Sequence, residues 1–204
     1  IATVQRTLQR TVEATEDDLV AQARQTRELQ RDLLRTRMVE FDAIADRLHR
    51  VVRQAARETG RQARLEVRGG AIEVDRGVLD RMTPAFEHLL RNAVVHGIES
   101  PGDRAAVGKP AVGHVVISVA HEGNDVSVTF EDDGAGLDLD RIRERAVSLG
   151  LLEPGAAWPD EQLAGLVFAP GLSTAREVTE LAGRGIGMDV VLAEVQALGG
   201  RVET

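Results

Sequence analysis

Apolar residues recur at helical spacing through the first 37 residues of the chain. The steps between them are multiples of about 3.6 residues, and the segment contains neither Gly nor Pro. The pattern comprises Ile1, Val4, Leu8, Val12, Leu19, Ala23, Leu29 and Leu33. It predicts one long amphipathic helix with a charged opposite face. Such a helix either docks on its own domain or, as we favour here, pairs with another helix in a bundle or across a dimer.

Beyond Gly60, where a second predicted helix over about 40–58 ends, strand-like and helical patterns alternate. Strands are predicted over 63–69 and 71–75, joined as a hairpin at Gly69 and Gly70. The next predicted elements are a helix over 76–96 that contains Pro84, a loop over 98–113, and strands over 114–122 and 125–133 joined as a hairpin at Gly123 and Asn124. Helices are then predicted over 139–149, with Asp138 as N-cap, over 160–168 and over 188–198, followed by the start of a strand over 201–204. Residues 169–187 have glycines at both ends and are predicted to form a flexible lid. The order indicates an α+β fold, in which a helical arm precedes a two-layer α/β sandwich with largely antiparallel strands.

Composition narrows the classes of protein to consider. The 204 residues include no Cys, which excludes disulfides, thiolate metal sites and cysteine nucleophiles. No apolar run approaches the roughly 20 residues of a membrane span, and the N-terminus lacks a signal-peptide pattern. We therefore expect a cytoplasmic protein without direct membrane insertion.

The charge is unevenly spread along the chain. The first 68 residues carry 14 Arg against 11 acidic residues, whereas the remainder carries 11 basic and 22 acidic residues. The whole chain has only four Phe and one Trp, and its acidic body lacks the basic, aromatic-studded face that nucleic-acid binding requires. We expect no nucleic-acid partner.

Three polar residues follow one another at single-turn spacing on the predicted helix 76–96. His88, Asn92 and His96 stand four residues apart above an apolar face. One interpretation makes Asn92 an oxygen ligand for Mg²⁺ and places His88 to orient or deprotonate an attacking group. The alternative is that Asn92 bonds locally and that both histidines are plain surface residues.

The pentapeptide DDGAG, residues 132–136, follows directly on a predicted strand. The Asp132 carboxylate can accept a hydrogen bond from the exocyclic amine of adenine, and Gly134 and Gly136 allow close approach of the backbone to a base. An ordinary Asp-Gly turn would have the same sequence. Arg141 and Arg145 stand one turn apart on the next predicted helix, either within reach of phosphates or as solvated surface charge.

A third glycine-rich motif precedes the last predicted helix. Gly183, Gly185 and Gly187 alternate, which lets successive N–H groups point inward, and a helix N-terminus favours anions. The spacing differs from the GxGxxG of dinucleotide-binding loops. No Gly-Lys-Ser/Thr sequence of a P-loop occurs in the chain.

The three motifs, with the predicted lid between the second and the third, occur in the order of the N, G1, F and G2 boxes of Bergerat-type (GHKL) ATP-binding proteins. From about residue 34 the sequence resembles the chemotaxis-type, CheA-like histidine kinases. Its Arg-rich composition and motif sequences are similar to those of the members that control type IV pilus motility. The resemblance is carried by RTRMV, DRGVLDRMTPAFEHLLRNAVVHGIE, GKPAVGHVVISVAHEGNDV, EDDGAGLD, VFAPGLSTA and GRGIGMDVV. It implies that residues 1–37 are part of a helical dimerisation domain. It also implies that residues 38–204 are the ATP-binding catalytic domain with a flexible ATP lid, truncated before its C-terminal strand.

The resemblance further implies binding of ATP and Mg²⁺ and transfer of the γ-phosphoryl group to a histidine on a separate phosphotransfer domain. The implied catalytic positions are His88, Asn92 and His96, and Asn92 would also hold the metal. The implied nucleotide-binding positions are Asn92, Asp132, Gly134, Gly136, Arg141, Arg145, Ser173, Thr174, Gly183, Gly185, Gly187 and Met188. Implied partners are a downstream response regulator, a receptor and a coupling protein, through other domains, and a second copy of the chain in a homodimer.

Three positions depart from the family pattern. Val95 stands where an acidic residue is usual, Leu172 where the lid has a second Phe, and Glu40 where Pro is usual. Val95 and Leu172 leave open a catalytically degenerate dimeric scaffold as an alternative. A further alternative is an ATPase of the same fold that hydrolyses ATP for conformational work. His88, where such ATPases carry a general-base Glu, argues against it.

Overall fold

A computed structural model describes residues 22, 25–26, 37–153, 155, 158–172 and 187–203. Most of the predicted helix over 1–37 and most of the predicted lid lie outside these residues. The chain divides into two units, Ile1–Val39 and Glu40–Thr204, and the elements that carry the candidate site belong to the second. The domain boundary predicted between residues 37 and 38 stays a prediction.

Strands and helices follow one another from Met38 onward. The strands are β1 (Met38–Glu40), β2 (Ala63–Arg68), β3 (Glu73–Asp75), β4 (Gly113–Glu122) and β5 (Asp125–Asp132). The helices are α1 (Ala45–Thr59), preceded by a 3₁₀ turn at Phe41–Ile44, α2 (Arg76–Asn92), α3 (Pro101–Ala106), α4 (Leu139–Ser148), α5 (Asp160–Gly165), which runs into a 3₁₀ turn at Leu166–Phe168, and α6 (Met188–Ala197). No helix in this described part of the chain is long and apolar enough to cross a bilayer.

A three-stranded sheet has the order β2-β4-β5. β4 and β5 are antiparallel, with Val115 opposite Asp132, and the turn between them at Gly123 (φ 66°) confirms the predicted hairpin. β2 and β4 are parallel, with Ala63 opposite Gly113. Parallel neighbours need a long crossover, which α2 and α3 supply, so the sheet is mixed rather than largely antiparallel.

The predicted hairpin at Gly69 and Gly70 is wrong, because β2 pairs with β4 and not with β3. Gly69 has a φ of 73°, and a Cβ there would lie 2.1 Å from the Val119 carbonyl oxygen, so the turn packs against β4. The Asp42 N–H then donates to the Gly70 carbonyl at 2.9 Å. These contacts lead the chain away from β2 instead of returning it alongside.

Local capping explains where the helices begin and end. Gly60, at φ 67°, closes α1, as the sequence predicted. The Asp138 side chain accepts a hydrogen bond from the Arg141 N–H at 2.9 Å and caps α4. The predicted loop over 98–113 instead contains α3, which Ser100 caps and Pro101 begins. Residues 201–203 form no strand, in contrast to the prediction.

The apolar core lies between the sheet and helices α1 and α2. Fully buried members are Phe41, Leu48, Leu90, Val94, Ile98 and Ile117. Phe86 stands between Phe41 and Phe130, with ring centroids 5.9 and 5.3 Å apart, and so links the two helices to β5. The C-terminal part of α2 and the turn that follows it thereby pack on the core, and they carry the polar residues singled out in the sequence.

A second buried cluster joins α4 and α5 to the beginning of the predicted lid. It consists of Ala146, Leu152, Leu163 and Leu172. Leu172, at one of the three positions that depart from the family pattern, is only 4% exposed. Its apolar side chain therefore anchors the start of the lid.

Candidate functional site

His88 and Asn92 contact each other one turn apart on α2. The Asn92 Nδ2 lies 3.0 Å from the His88 Nε2 and donates to the Met188 Sδ at 3.4 Å. All three residues are half-buried. Both contacts use Nδ2, so neither occupies the amide oxygen Oδ1. The contact with Met188 also places the N-terminus of α6 beside the polar stripe of α2.

The chain beyond Asn92 does not continue as an α-helix, in contrast to the prediction. Residues Ala93–Gly97 form a π-helical turn, closed by the Ile98 N–H donating to the Ala93 carbonyl at 2.8 Å. The wider turn frees the carbonyls of Val94 and Val95, and both accept hydrogen bonds from the Arg61 guanidinium. Single π turns inside α-helices occur frequently at functional sites.

Both histidines of the stripe favour the neutral form. Burial lowers the pKa of His88, and the charges of His96 and Arg91 add to this effect against the opposing charge of Asp189. Partial desolvation of the ring, followed by Arg61 and Arg141, lowers the pKa of His96, although the residue as a whole is exposed. At neutral pH each imidazole is therefore able to accept a proton or a hydrogen bond.

The DDGAG segment packs directly on the π-helical turn. The Ala135 N–H donates to the Gly97 carbonyl at 2.9 Å. A Cβ on Gly134 would lie 2.2 Å from that same oxygen, so only glycine fits there without a shift. The exposed Asp132 accepts from the Gly134 N–H at 2.9 Å through Oδ1. The two motifs, 36 or more residues apart in the sequence, thus meet at Gly97.

Charged residues that the sequence analysis missed support this junction. Arg104, whose side chain is fully buried, donates to a Glu99 carboxylate oxygen at 2.8 Å and to the Asp133 Oδ2 at 2.8 Å. Lys109 donates to the other Glu99 oxygen at 2.7 Å. The bond from Lys109 is the largest cause that lowers the pKa of Glu99 to about 2. We call Glu99, Arg104, Lys109 and Asp133 the charge cluster. In the sequence, three of these four residues, Glu99, Arg104 and Lys109, lie in the segment that was predicted to be a loop.

The two arginines of α4 differ in their relation to the stripe. Arg141 lies close enough to lower the pKa of His96, which places its positive charge on this side of the molecule. Arg145 is exposed on the same helix, and among the described residues no side-chain contact of Arg145 joins it to the site. The phosphate-binding roles of both remain predictions.

The described residues include only part of the predicted phosphate-binding end of the lid. Gly187 precedes α6 as its N-cap, and Met188 is the first helical residue. Gly136 has a φ of 77°, and among the described residues nothing lies within 4 Å of a Cβ built on it, so its surroundings there are open. Ser173, Thr174, Gly183 and Gly185 lie outside the described residues, and their predicted roles stay predictions.

The donor set fits a magnesium ion that arrives with a nucleotide rather than one held by protein alone. Within the described residues no group of three or more His, Cys, Asp or Glu could hold a metal. Mg²⁺ is commonly bound through one or two protein oxygens together with substrate phosphates and water. The Asn92 amide oxygen, next to an Nδ2 that makes two contacts, is an oxygen donor of the type that such an ion takes from protein.

Comparison with known proteins shows which family the chain resembles. The model of the family of histidine kinase-, DNA gyrase B- and HSP90-like ATPases matches residues 77–204. The chain is 39% identical over 180 residues to the chemotaxis protein CheA of Klebsiella aerogenes, covering 88% of this chain and 28% of that protein. It is 41% identical over 168 residues to a gliding motility regulatory protein of Myxococcus xanthus, covering 81% and 22%.

A solved histidine kinase domain, from the blue-light activated histidine kinase of Erythrobacter litoralis EL346, aligns with 79% of this chain and 52% of that chain. The TM-score is 0.40 and the sequence identity 19%.

The chain belongs to the family of histidine kinase-, DNA gyrase B- and HSP90-like ATPases, because the family model matches more than half of it. Within that family it is similar to the chemotaxis protein CheA. This confirms the predicted α+β fold of the GHKL type and the resemblance on which it rested. The chain spans only 28% and 22% of the lengths of the two relatives.

Proposed function

We propose that the chain is the catalytic core of a histidine kinase that binds Mg-ATP and transfers the γ-phosphoryl group to a histidine on a separate phosphotransfer domain. The observation that carries the proposal is the hydrogen bond between the Ala135 N–H and the Gly97 carbonyl at 2.9 Å. This contact brings Asp132 to the end of the helix that carries His88 and Asn92. Membership of an ATP-binding family makes a single nucleotide site across this junction the simplest interpretation.

In this proposal Asp132 recognises the base. Its carboxylate is exposed and one oxygen accepts from Gly134, which leaves Oδ2 as an acceptor for the exocyclic amine of adenine. The open surroundings of Gly136 leave space for the planar ring. A base with an oxygen in place of the amine would face the carboxylate with a second acceptor and bind less well.

The phosphates lie, in this proposal, between α2 and the N-terminus of α6. The N–H groups at Gly187 and Met188 and the charge of Arg141 favour anions there. Asn92 holds the metal through its amide oxygen, and the metal supplies neutralisation of phosphate charge during transfer. His88, neutral and hydrogen-bonded to Asn92, orients the acceptor imidazole or accepts its proton.

The proposed reaction needs partners beyond this chain. They are the phosphotransfer domain that receives the phosphoryl group and a response regulator downstream of it, with a receptor and a coupling protein upstream. The amphipathic pattern over 1–37 supports a homodimer formed through that segment. The protein acts in the cytoplasm in this proposal.

Two alternatives share the same nucleotide site. A scaffold without catalysis is motivated by Val95 and Leu172, yet Leu172 is buried in the cluster that anchors the lid, as a packing residue should be. An ATPase is disfavoured by His88 at the position where a general-base Glu is usual. Phosphate release from ATP without any acceptor domain, compared with transfer when one is added, separates the kinase from the ATPase.

The metal assignment is tested by replacing Asn92 with Ala and titrating ATP with and without Mg²⁺. We expect the variant to lose the magnesium-dependent part of its ATP affinity, roughly tenfold or more, as for one charge-assisted contact. Asn124→Ala, in the exposed turn between β4 and β5, is the matched control. Equal magnesium-dependent affinity in Asn92→Ala and the control would show that Asn92 does not hold the metal.

A further inference from the structure

The charge cluster has a fully buried arginine at its centre. The Arg104 Nε donates to the Pro110 carbonyl at 2.7 Å, Nη1 to Glu99 and to the Asp133 carbonyl, and Nη2 to the Asp133 carboxylate. All three nitrogens of a side chain with 0% exposure are thus hydrogen-bonded. A fork with this many fixed partners holds them in one geometry.

Asp133 is held through every polar atom that it has. Its Oδ2 accepts from Arg104 at 2.8 Å and its Oδ1 from the His114 N–H at 2.8 Å. Its own N–H donates to the His114 carbonyl at 3.1 Å, and its carbonyl accepts from Lys109 at 3.0 Å. Asp133 therefore has no freedom to shift relative to β4 and α3.

The fixation extends to the two residues that follow. The Gly134 carbonyl accepts from Lys109 at 2.8 Å, and the Ala135 N–H donates to Gly97 at 2.9 Å. Three consecutive residues after Asp132 are thus tied to other elements. The position of the Asp132 carboxylate, which bonds to the Gly134 N–H, depends on these ties.

The cluster also decides which carboxylate stays available. Glu99 and Asp133 together neutralise Arg104 and Lys109, so neither cation is left to pair with Asp132. Asp132 itself is exposed and makes only the bond to Gly134 within the described residues. Of the two adjacent aspartates, Asp133 is hydrogen-bonded within the protein, and Asp132 remains an acceptor for a ligand.

We propose that the charge cluster, through Arg104 and Lys109, is a positioning device that gives the site its preference for a base with an exocyclic amine. The inference rests on the proposed function, because it takes Asp132 as the acceptor of that amine. Arg104 and Lys109 touch the loop and not the nucleotide. Their loss should therefore lower discrimination between bases more than it lowers affinity for the triphosphate.

The test compares ATP with inosine triphosphate, which carries an oxygen in place of the amine and the same phosphates. Both are titrated calorimetrically into the full chain and into Arg104→Lys. Lysine keeps the charge but cannot reproduce the fork. We expect the preference of the wild type for ATP to fall about tenfold in the variant, while the affinity for inosine triphosphate stays within about twofold.

Two further variants keep the comparison decisive. Lys109→Met removes the contact with Gly134 at a side chain that is 35% exposed, and it decides the question if Arg104→Lys does not fold. Arg47→Lys alters an exposed Arg–Glu pair with Glu87 and is the matched control, which should keep the wild-type preference. Amide hydrogen exchange at residues 133–135 should quicken in the two cluster variants and not in the control.

The outcomes separate the inference from the proposed function. A wild type that binds ATP no better than inosine triphosphate overturns the base assignment of Asp132, and the inference with it. A wild type that prefers ATP, together with a folded Arg104→Lys or Lys109→Met that keeps the same preference, overturns the inference alone. A lowered preference with unchanged inosine triphosphate affinity supports the positioning role.

Discussion

Asp132 and Asp133 are neighbours in the chain, but their contacts give them different tasks. Asp133 is hydrogen-bonded by Arg104 and by the backbone of His114. Although burial opposes ionisation, these bonds outweigh it and lower the pKa of the Asp133 carboxyl. Asp132 is exposed and bonds only locally to Gly134. In the proposed site it is the residue whose charge meets the ligand.

Replacing Asp132 with Asn should weaken ATP binding by about 1–3 kcal/mol, because a charged hydrogen bond to the base becomes a neutral one. Affinity for inosine triphosphate should not fall and should rise, since the Asn amide can donate to the base oxygen that the carboxylate repels. Calorimetric titration of both nucleotides measures the two effects. Asp140→Asn is the control, because the Asp140 side chain is 91% exposed. ATP affinity equal to that of the wild type would place the base elsewhere.

At the level of elements, the π-helical turn after α2 joins the two halves of the site. It turns the Gly97 carbonyl toward the DDGAG segment, where it receives the Ala135 N–H. Arg61 satisfies the carbonyls that the wider turn exposes, so the turn is stable without a ligand. The close approach of Gly134 to Gly97 then leaves no room for a side chain.

Gly134→Ala tests this junction. The added Cβ would lie 2.2 Å from the Gly97 oxygen, so the segment must shift, at a cost of about 1–3 kcal/mol in the free energy of unfolding. ATP affinity should fall in parallel. Gly165→Ala, where nothing lies within 4 Å of the added carbon, is the control and should be neutral or slightly stabilising. Unchanged stability in Gly134→Ala would mean that the two segments are not in contact.

Sequence patterns predicted the β4–β5 hairpin and the described helices other than α3, because these elements depend on local periodicity and turn residues. Asp138 caps the start of α4 and Gly60 ends α1, as the sequence predicted. The partner of β2 could not be predicted locally, since a parallel neighbour is set by the crossover and by the packing of Gly69 on β4. Likewise, His88 and Asn92 follow from helical spacing, whereas the contact of Asn92 with Met188 joins residues 96 positions apart.

The charge cluster was missed for the same reason. Glu99, Arg104 and Lys109 read as loop charges in the sequence, and only the fold brings them onto Asp133. The Gly and Pro residues of this segment predicted a loop, whereas the structure contains a short helix of six residues there. Buried charges that pair across elements leave no periodic trace, so their discovery required the tertiary structure.

For the whole molecule, we expect the free energy of unfolding to fall in acid because of the charge cluster. The folded pKa of Glu99 is about 2, lowered from an ordinary value of 4.5. The stabilisation from its ionised form is therefore fully present above pH 4.5 and is lost as the pH falls toward 2. Chemical unfolding at a series of pH values between 5 and 2 measures this slope.

A variant locates the source of that acid sensitivity. Glu99→Gln should be less stable near neutral pH, because Arg104 loses a buried partner, and its stability should depend less on pH between 4.5 and 2. Glu203→Gln, at an exposed pair with Arg201, should keep the wild-type slope. The same slope in Glu99→Gln as in the wild type would contradict the assignment.

The central claim is that one Mg-ATP site spans α2, the DDGAG segment and the N-terminus of α6. Calorimetric titration of the purified chain with ATP, with and without Mg²⁺, tests it most directly. The account predicts saturable binding of one ATP per chain that tightens when Mg²⁺ is present. Absence of binding in magnesium would contradict the account.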